Sequence, residues 1–272
     1  MVTDFIYNDC RLSDFGYAIV LFDTIKDSEI DTDSQLTFNH ISIANGKKMP
    51  FITSTYEDPL KMEFYIGKNL CKYERDNDIY EKSTSISLSE MAFLKRWLSS
   101  PTPHKLQAVG DEYIGIFWMG SFNVEEYTLG DNRIGARLTF ECDAPFGYYN
   151  DVVFKGSLSA GESYKYNCIS DETGYLYPNI TIRLMENGDL ELSNSFDGRI
   201  TSIKNCKQYE TITMDENMQI YSDYPTHEIM DDYNFVFYRI GNELNNVENT
   251  LESNLAIEYT IRYNPICKAV IV

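Results

Sequence analysis

Short runs in which apolar and polar residues alternate dominate the chain, and one stretch departs to a helical period. DFIYND, a turn at RLSDFG, and YAIVLFDTI open it with β-branched and aromatic residues bounded by Asp, Ser and Gly, which predicts strands. In ITSTYEDPLKMEFYI, Leu60, Met62, Phe64 and Ile66 alternate with Lys61, Glu63, Tyr65 and Gly67, the pattern of a strand with one buried face. The departure is SLSEMAFLKRWLSS, where Met91, Leu94 and Leu98 recur at helical spacing with Phe93 and Trp97 beside them. Ser87 and Glu90 form a capping box there, and SSPTP stops the helix, predicted near residues 88–99.

Strand-like runs resume at KLQAVG, YIGIFWMGSFNVEEYTL and IGARLTFECDAPFGYY. Pro145 follows the last apolar position almost at once, so a central strand cannot continue, and the spacing predicts a domain end there. Beyond it the texture is strands alone. ITIRLMENGDLELSN reads as a hairpin, with Ile180, Ile182 and Leu184 alternating, Asn187-Gly188 as a tight turn, and Leu190 and Leu192 returning. Further strands are expected at GRITSI, ETITMD, MQIYSD, DYNFVFYRI and LAIEYTIRYNP, about ten residues apart, as in a sandwich or barrel. The reading is a mainly β protein, α+β in a first domain over 1–148, with an all-β domain over 149–272.

Composition narrows the partners. With 272 residues, 43% hydrophobic and 14% aromatic, the chain can build two packed cores. A formal charge of −19 argues against wrapped nucleic acid, while acidic walls let DNA pass without sticking. No Lys/Arg run suggests an anionic membrane, and no apolar run is long enough to span one. The N-terminus lacks the pattern of a secretory signal, so a cytoplasmic start is expected. Six cysteines, at 10, 71, 142, 168, 206 and 267, form no CxxC motif and read as reduced, mostly buried thiols.

Candidate chemistry is sparse. LTFECDAPFGYYND could be a catalytic or metal-binding loop, through Cys142, Asp143 and Tyr148, or a last strand and a domain crossing. His40, His104 and His227 lie far apart, none at a metal-motif spacing. Asp27, Glu29, Asp31 and Asp33 alternate as in a calcium loop, but Leu36 stands where the turn glycine belongs and Ser42 where the bidentate glutamate belongs. A solvated acidic loop is the expectation, with no cofactor, metal or catalytic residue assigned. Nucleophile-elbow, dinucleotide and phosphate-loop motifs do not occur.

In their order and spacing, FIYND, LSDFG, the DPLKMEFYI strand, the SEMAFLKRWL helix and LTFECDAPFGYY resemble the distal tail protein of long-tailed bacteriophages and prophages. YPNITIRLMENGDLELSN, IGNELNNVEN and EYTIRYNP resemble the β-sandwich that follows in its longer members. The resemblance implies an N-terminal sandwich or split barrel with one helix, then a galectin-like sandwich. It implies a non-enzymatic virion protein whose first domains form a ring, usually hexameric, between tail tube protein and the tail-associated lysin or fibre hub. The second domain would hold receptor-binding proteins or a saccharide, and DNA would pass through unbound. Family galectins hold sugar with a histidine, an arginine and a tryptophan; no Trp follows Trp118, so tyrosine stacking is the route left. Two other readings remain: a carbohydrate-binding or glycan-active sandwich, and an interaction module of another secretion or contractile machine.

Overall fold

The computed structural model describes residues 2–20, 36–40, 51–56, 58–69, 85–171, 174–242 and 248–268. The acidic stretch Asp27, Glu29, Asp31 and Asp33, and Cys71, lie outside the described residues. The chain divides into two units, one of residues 1–148 with 268–272, the other of residues 149–267. The protein is mainly β.

The first unit contains β1 (Asp4–Tyr7), β2 (Cys10–Arg11), β3 (Tyr17–Ile19), β4 (Leu36–His40), β5 (Phe51–Tyr56), β6 (Lys61–Lys68), β7 (His104–Val109), β8 (Ile116–Leu129) and β9 (Asn132–Cys142). Its main sheet runs β2-β1-β7-β8-β9-β6-β3, while β4 and β5 pair with each other. The strand read from the alternation of Leu60 to Gly67 is β6, and a separate strand, β5, ends before the Asp58-Pro59 turn, where proline cannot donate to a ladder. The alternation in β6 holds: Leu60, Met62, Phe64 and Ile66 are buried. Met62 faces Phe140 and Phe64 faces Leu138 on β9, and Phe122 of β8 faces Phe140, so one continuous apolar face results. The predicted turn at Leu12–Phe15 is one turn of 3-10 helix, closed by Gly16 at φ +80°. Asp4, buried, holds that turn by accepting from Arg11 Nε at 2.6 Å and from the Ser13 amide at 3.2 Å.

Helix α1 (Leu88–Leu98) carries both halves of the capping box: Ser87 Oγ accepts from the Glu90 amide, and the Glu90 carboxylate accepts from the Ser87 amide at 2.7 Å. It packs on β8 and buries Met91, Leu94 and Leu98, each contributing roughly 1.5–3 kcal/mol. Trp97 stacks beside Phe5 and donates to the Tyr7 carbonyl at 3.3 Å, fastening the helix to β1.

The chain leaves the first unit through β10 (Gly147–Tyr149). In the second unit follow β11 (Val152–Leu158), β12 (Ser163–Asn167), β13 (Gly174–Leu176), β14 (Asn179–Leu184), β15 (Gly188–Ser193), β16 (Ile200–Cys206), β17 (Thr211–Met214) and β18 (Ile220–Ser222). A short helix α2 (Ile229–Asp232) precedes β19 (Ile240–Asn242), β20 (Glu248–Ser253), β21 (Ile257–Tyr263) and β22 (Ile266–Cys267). Two sheets, β11-β21-β14-β17-β18 and β12-β20-β15-β16, enclose one core. Ile182, Ile212 and Ile261 enter it from the first, and Leu190, Ile203 and Leu251 from the second.

Two sequence expectations are corrected by the strand pairing. ITIRLMENGDLELSN is not a hairpin: β14 pairs with β17 and β21, while β15 pairs with β16 and β20 in the opposite sheet. Neither Asn187 nor Gly188 takes the positive φ of a tight hairpin turn. Alternation had identified the core-facing residues, and these point at the same core from opposite sides. DYNFVFYRI is not a strand before Ile240. Phe235 sits at φ +57° and Asn234 Oδ1 accepts from the Val236 amide, a local turn that competes with ladder bonding.

Candidate functional site

The stretch around Cys142 is a strand end. Cys142 is the last residue of β9 and buried, and burial, with Asp143 and Glu141 nearby, pushes its thiol far above the usual range, away from a reactive thiolate. Burial also raises the Asp143 carboxyl, against a hydrogen bond donated by Tyr148 Oη at 3.4 Å. The Asp143 amide donates to the Met119 carbonyl. These contacts end a sheet and assemble no nucleophile, base or ligand set.

The densest polar cluster lies in the second unit and unites residues distant in sequence. Glu210, wholly buried, precedes β17 on the same face as Ile212 and Met214. Its Oε2 accepts from the Lys207 amide at 2.8 Å, and its Oε1 from Ser222 Oγ at 2.5 Å. His227 Nδ1 approaches the same Oε1 at 2.5 Å. On the other side of the ring, Nε2 lies 3.3 Å from Asp232 Oδ2, an ion-pair distance without hydrogen-bond alignment. Asp232 in turn accepts from Asn205 Nδ2 at 2.9 Å.

Serine, histidine and two carboxylates are the residue types of a hydrolase relay, but their wiring is different. A relay needs the hydroxyl on the imidazole and the imidazole on the carboxylate. Here Ser222 donates to Glu210, so His227 cannot take its proton, and the histidine side chain is 3% exposed. The role of the cluster is structural, because one carboxylate ties together the turn before β17, the end of β18 and the approach to α2.

The other histidines stay outside it. His104 lies in β7, its ring edge-on to Tyr7 with centroids 5.8 Å apart, and His40 lies in β4. Sequence reasoning named His227 but missed Glu210, Ser222 and Asp232. The signal was a core-facing acid at Glu210, alternating with Ile212 and Met214; a buried carboxylate requires donors. Among the described residues no His, Cys, Asp or Glu cluster could hold a metal ion, and no helix is long and apolar enough to cross a membrane. Cys10, Cys142, Cys168 and Cys206 are free thiols.

A second polar cluster is equally structural. Asn194 Nδ2 donates to Asn249 Oδ1 and to the Arg239 carbonyl, both at 2.8 Å, while Asn249 exchanges two hydrogen bonds with the Gly241 backbone. These buried amides pin the irregular segment before β19 to the four-stranded sheet.

Two domains in this order along the chain, a sheet with a capped helix and then a β-sandwich, define a class. The phage tail protein N-terminal domain matches residues 1–144, and the phage tail C-terminal domain matches residues 146–263. The chain belongs to this family of phage tail proteins. More particularly, its fold is similar to that of SPP1 Dit (gp 19.1), whose crystal structure is described as a paradigm of the hub adsorption apparatus in phages infecting Gram-positive bacteria. The similarity has a TM-score of 0.67, covers 97% of this chain and 99% of that one, and has 10% sequence identity, so what is shared is the fold. Among curated protein sequences none matches.

Proposed function

We propose that this phage tail protein is the distal tail protein of a long-tailed phage or prophage, a structural ring at the tail tip. The observation that carries the reading is the full-length order of both tail domains in one chain that has the fold of a tail hub protein. The domain of residues 1–148 closes a homo-oligomeric ring, hexameric in this reading, through head-to-tail contacts for which sheet edges are suitable material. One side of the ring joins the tail tube protein, and the other joins the tail-associated lysin or fibre hub. The domain of residues 149–272 projects to hold receptor-binding proteins. The protein performs no catalysis, and the inward wiring of Ser222 and His227 agrees with that.

Gold-labelled antibody against the chain, applied to purified particles of the phage that encodes it, tests the location. Label at the tail end remote from the capsid is expected. Label along the tube or on the capsid would overturn the reading.

A further inference from the structure

Among the described residues the two large sheets of the second unit have four edges, and three are guarded alike. Strands β11, β12 and β16 end their sheets and carry the exposed Lys155, Lys165 and Lys204, a common device against strand addition. The fourth edge, β18, carries no lysine and exposes Tyr221, which is 51% accessible. Register shows what this edge offers. The Asp223 amide donates to the Thr211 carbonyl, and the Asp215 amide to the Gln219 carbonyl, both at 3.0 Å. Residues 219, 221 and 223 thus direct their backbone to β17, and Ile220 and Ser222 direct theirs outward. Among the described residues no strand pairs on that side.

The surroundings point to one kind of occupant. From Gln208 to Tyr238 the chain has seven acids and no Lys or Arg. Asp215, Asp223 and Asp232 are engaged by local donors, but the exposed Glu216, Glu228 and Asp231 form no ion pair among the described residues. Met218, Tyr224 and Met230 lie exposed in the same stretch, and α2, which bears Met230, packs against β18. Met218 holds its side chain outward from a left-handed backbone at φ +59°, a costly conformation for a bulky residue. Methionine and tyrosine give adaptable contacts for the aliphatic stems and cationic ends of lysine and arginine. A second copy fits poorly, because two such edges would oppose unpaired carboxylates.

We propose that the β18 edge docks an extended, basic segment of a partner protein as an added strand, through the outward backbone of Ile220 and Ser222 and the acidic, Met/Tyr-rich rim. The proposal stands on the second unit alone and does not depend on ring formation.

The probe is a labelled peptide alternating lysine with valine, titrated by fluorescence anisotropy into the full-length protein, with a glutamate-for-lysine peptide as control. Expected are binding of the lysine peptide only, slowed hydrogen exchange at residues 220–224, and binding roughly tenfold weaker in E216K/E228K. The variant D111K/D131K has the same net charge, with its changes in the first unit, and should bind like wild type. Absent binding, equal weakening in both double variants, or protection at another strand each overturns the proposal. So does protection at 220–224 that appears on concentrating the protein alone, which would make a second copy the occupant.

Discussion

Glu210 satisfies three donors without touching solvent, so its replacement isolates the cost of leaving them unmet. Glu210→Ala should lose about 3–5 kcal/mol in urea unfolding, because the buried His227 ring and the Lys207 amide are left without their acceptor. Ser222→Ala should lose only about 1 kcal/mol, since Glu210 keeps its other two partners. Equal losses would mean that the cluster acts through packing alone. Burial pushes the Cys206 thiol up to about 12, so mapped alkylation at neutral pH should spare Cys206 and Cys142 until denaturant is added. Residue types were legible in the sequence at this scale, but partners were not. Cys206 could be read as a buried thiol, whereas nothing local to His227 announced Glu210, seventeen residues away and brought close only by the sandwich.

The helix is the element the sequence specified best, because its cap, its period and its proline stop are all local. Ser87→Ala should cost about 1 kcal/mol, read as a lowered thermal midpoint. Burial raises the Glu90 carboxyl, but hydrogen bonds from the Ser87 amide and hydroxyl and from Lys68 outweigh it, so its folded-state pKa lies below the ordinary value. The stabilisation is therefore complete above roughly pH 4.3, the ordinary glutamate value, and is lost as pH falls through the lower folded-state value. Glu90→Gln should flatten that part of the stability–pH curve and leave the neutral part parallel to wild type. Strand pairing was harder to read. Period two told which side chains of β14 and β15 meet the core, but a turn and an inter-sheet arch present the same alternation. A close approach was hidden too: a Cβ on Gly120 would strike the Glu141 carbonyl and the Phe140 ring across the β8–β9 pair. Gly120→Ala should cost about 1–3 kcal/mol through forced separation of these strands, checked by chemical denaturation.

For the whole molecule, fold class and the change of texture near Pro145 were visible in the pattern, while assembly is not encoded in any motif. Which surfaces meet is a property of edges and charges once the sheets exist. In the proposed ring, a subunit of −19 would favour a passage to which DNA does not adhere. The central claim, a ring at the tail tip, is tested most directly by mass. Light scattering on the purified chain over a range of concentrations, alone and mixed with the tube and hub proteins of its own genome, should find a hexamer in at least one condition. A monomer in every condition would contradict the ring.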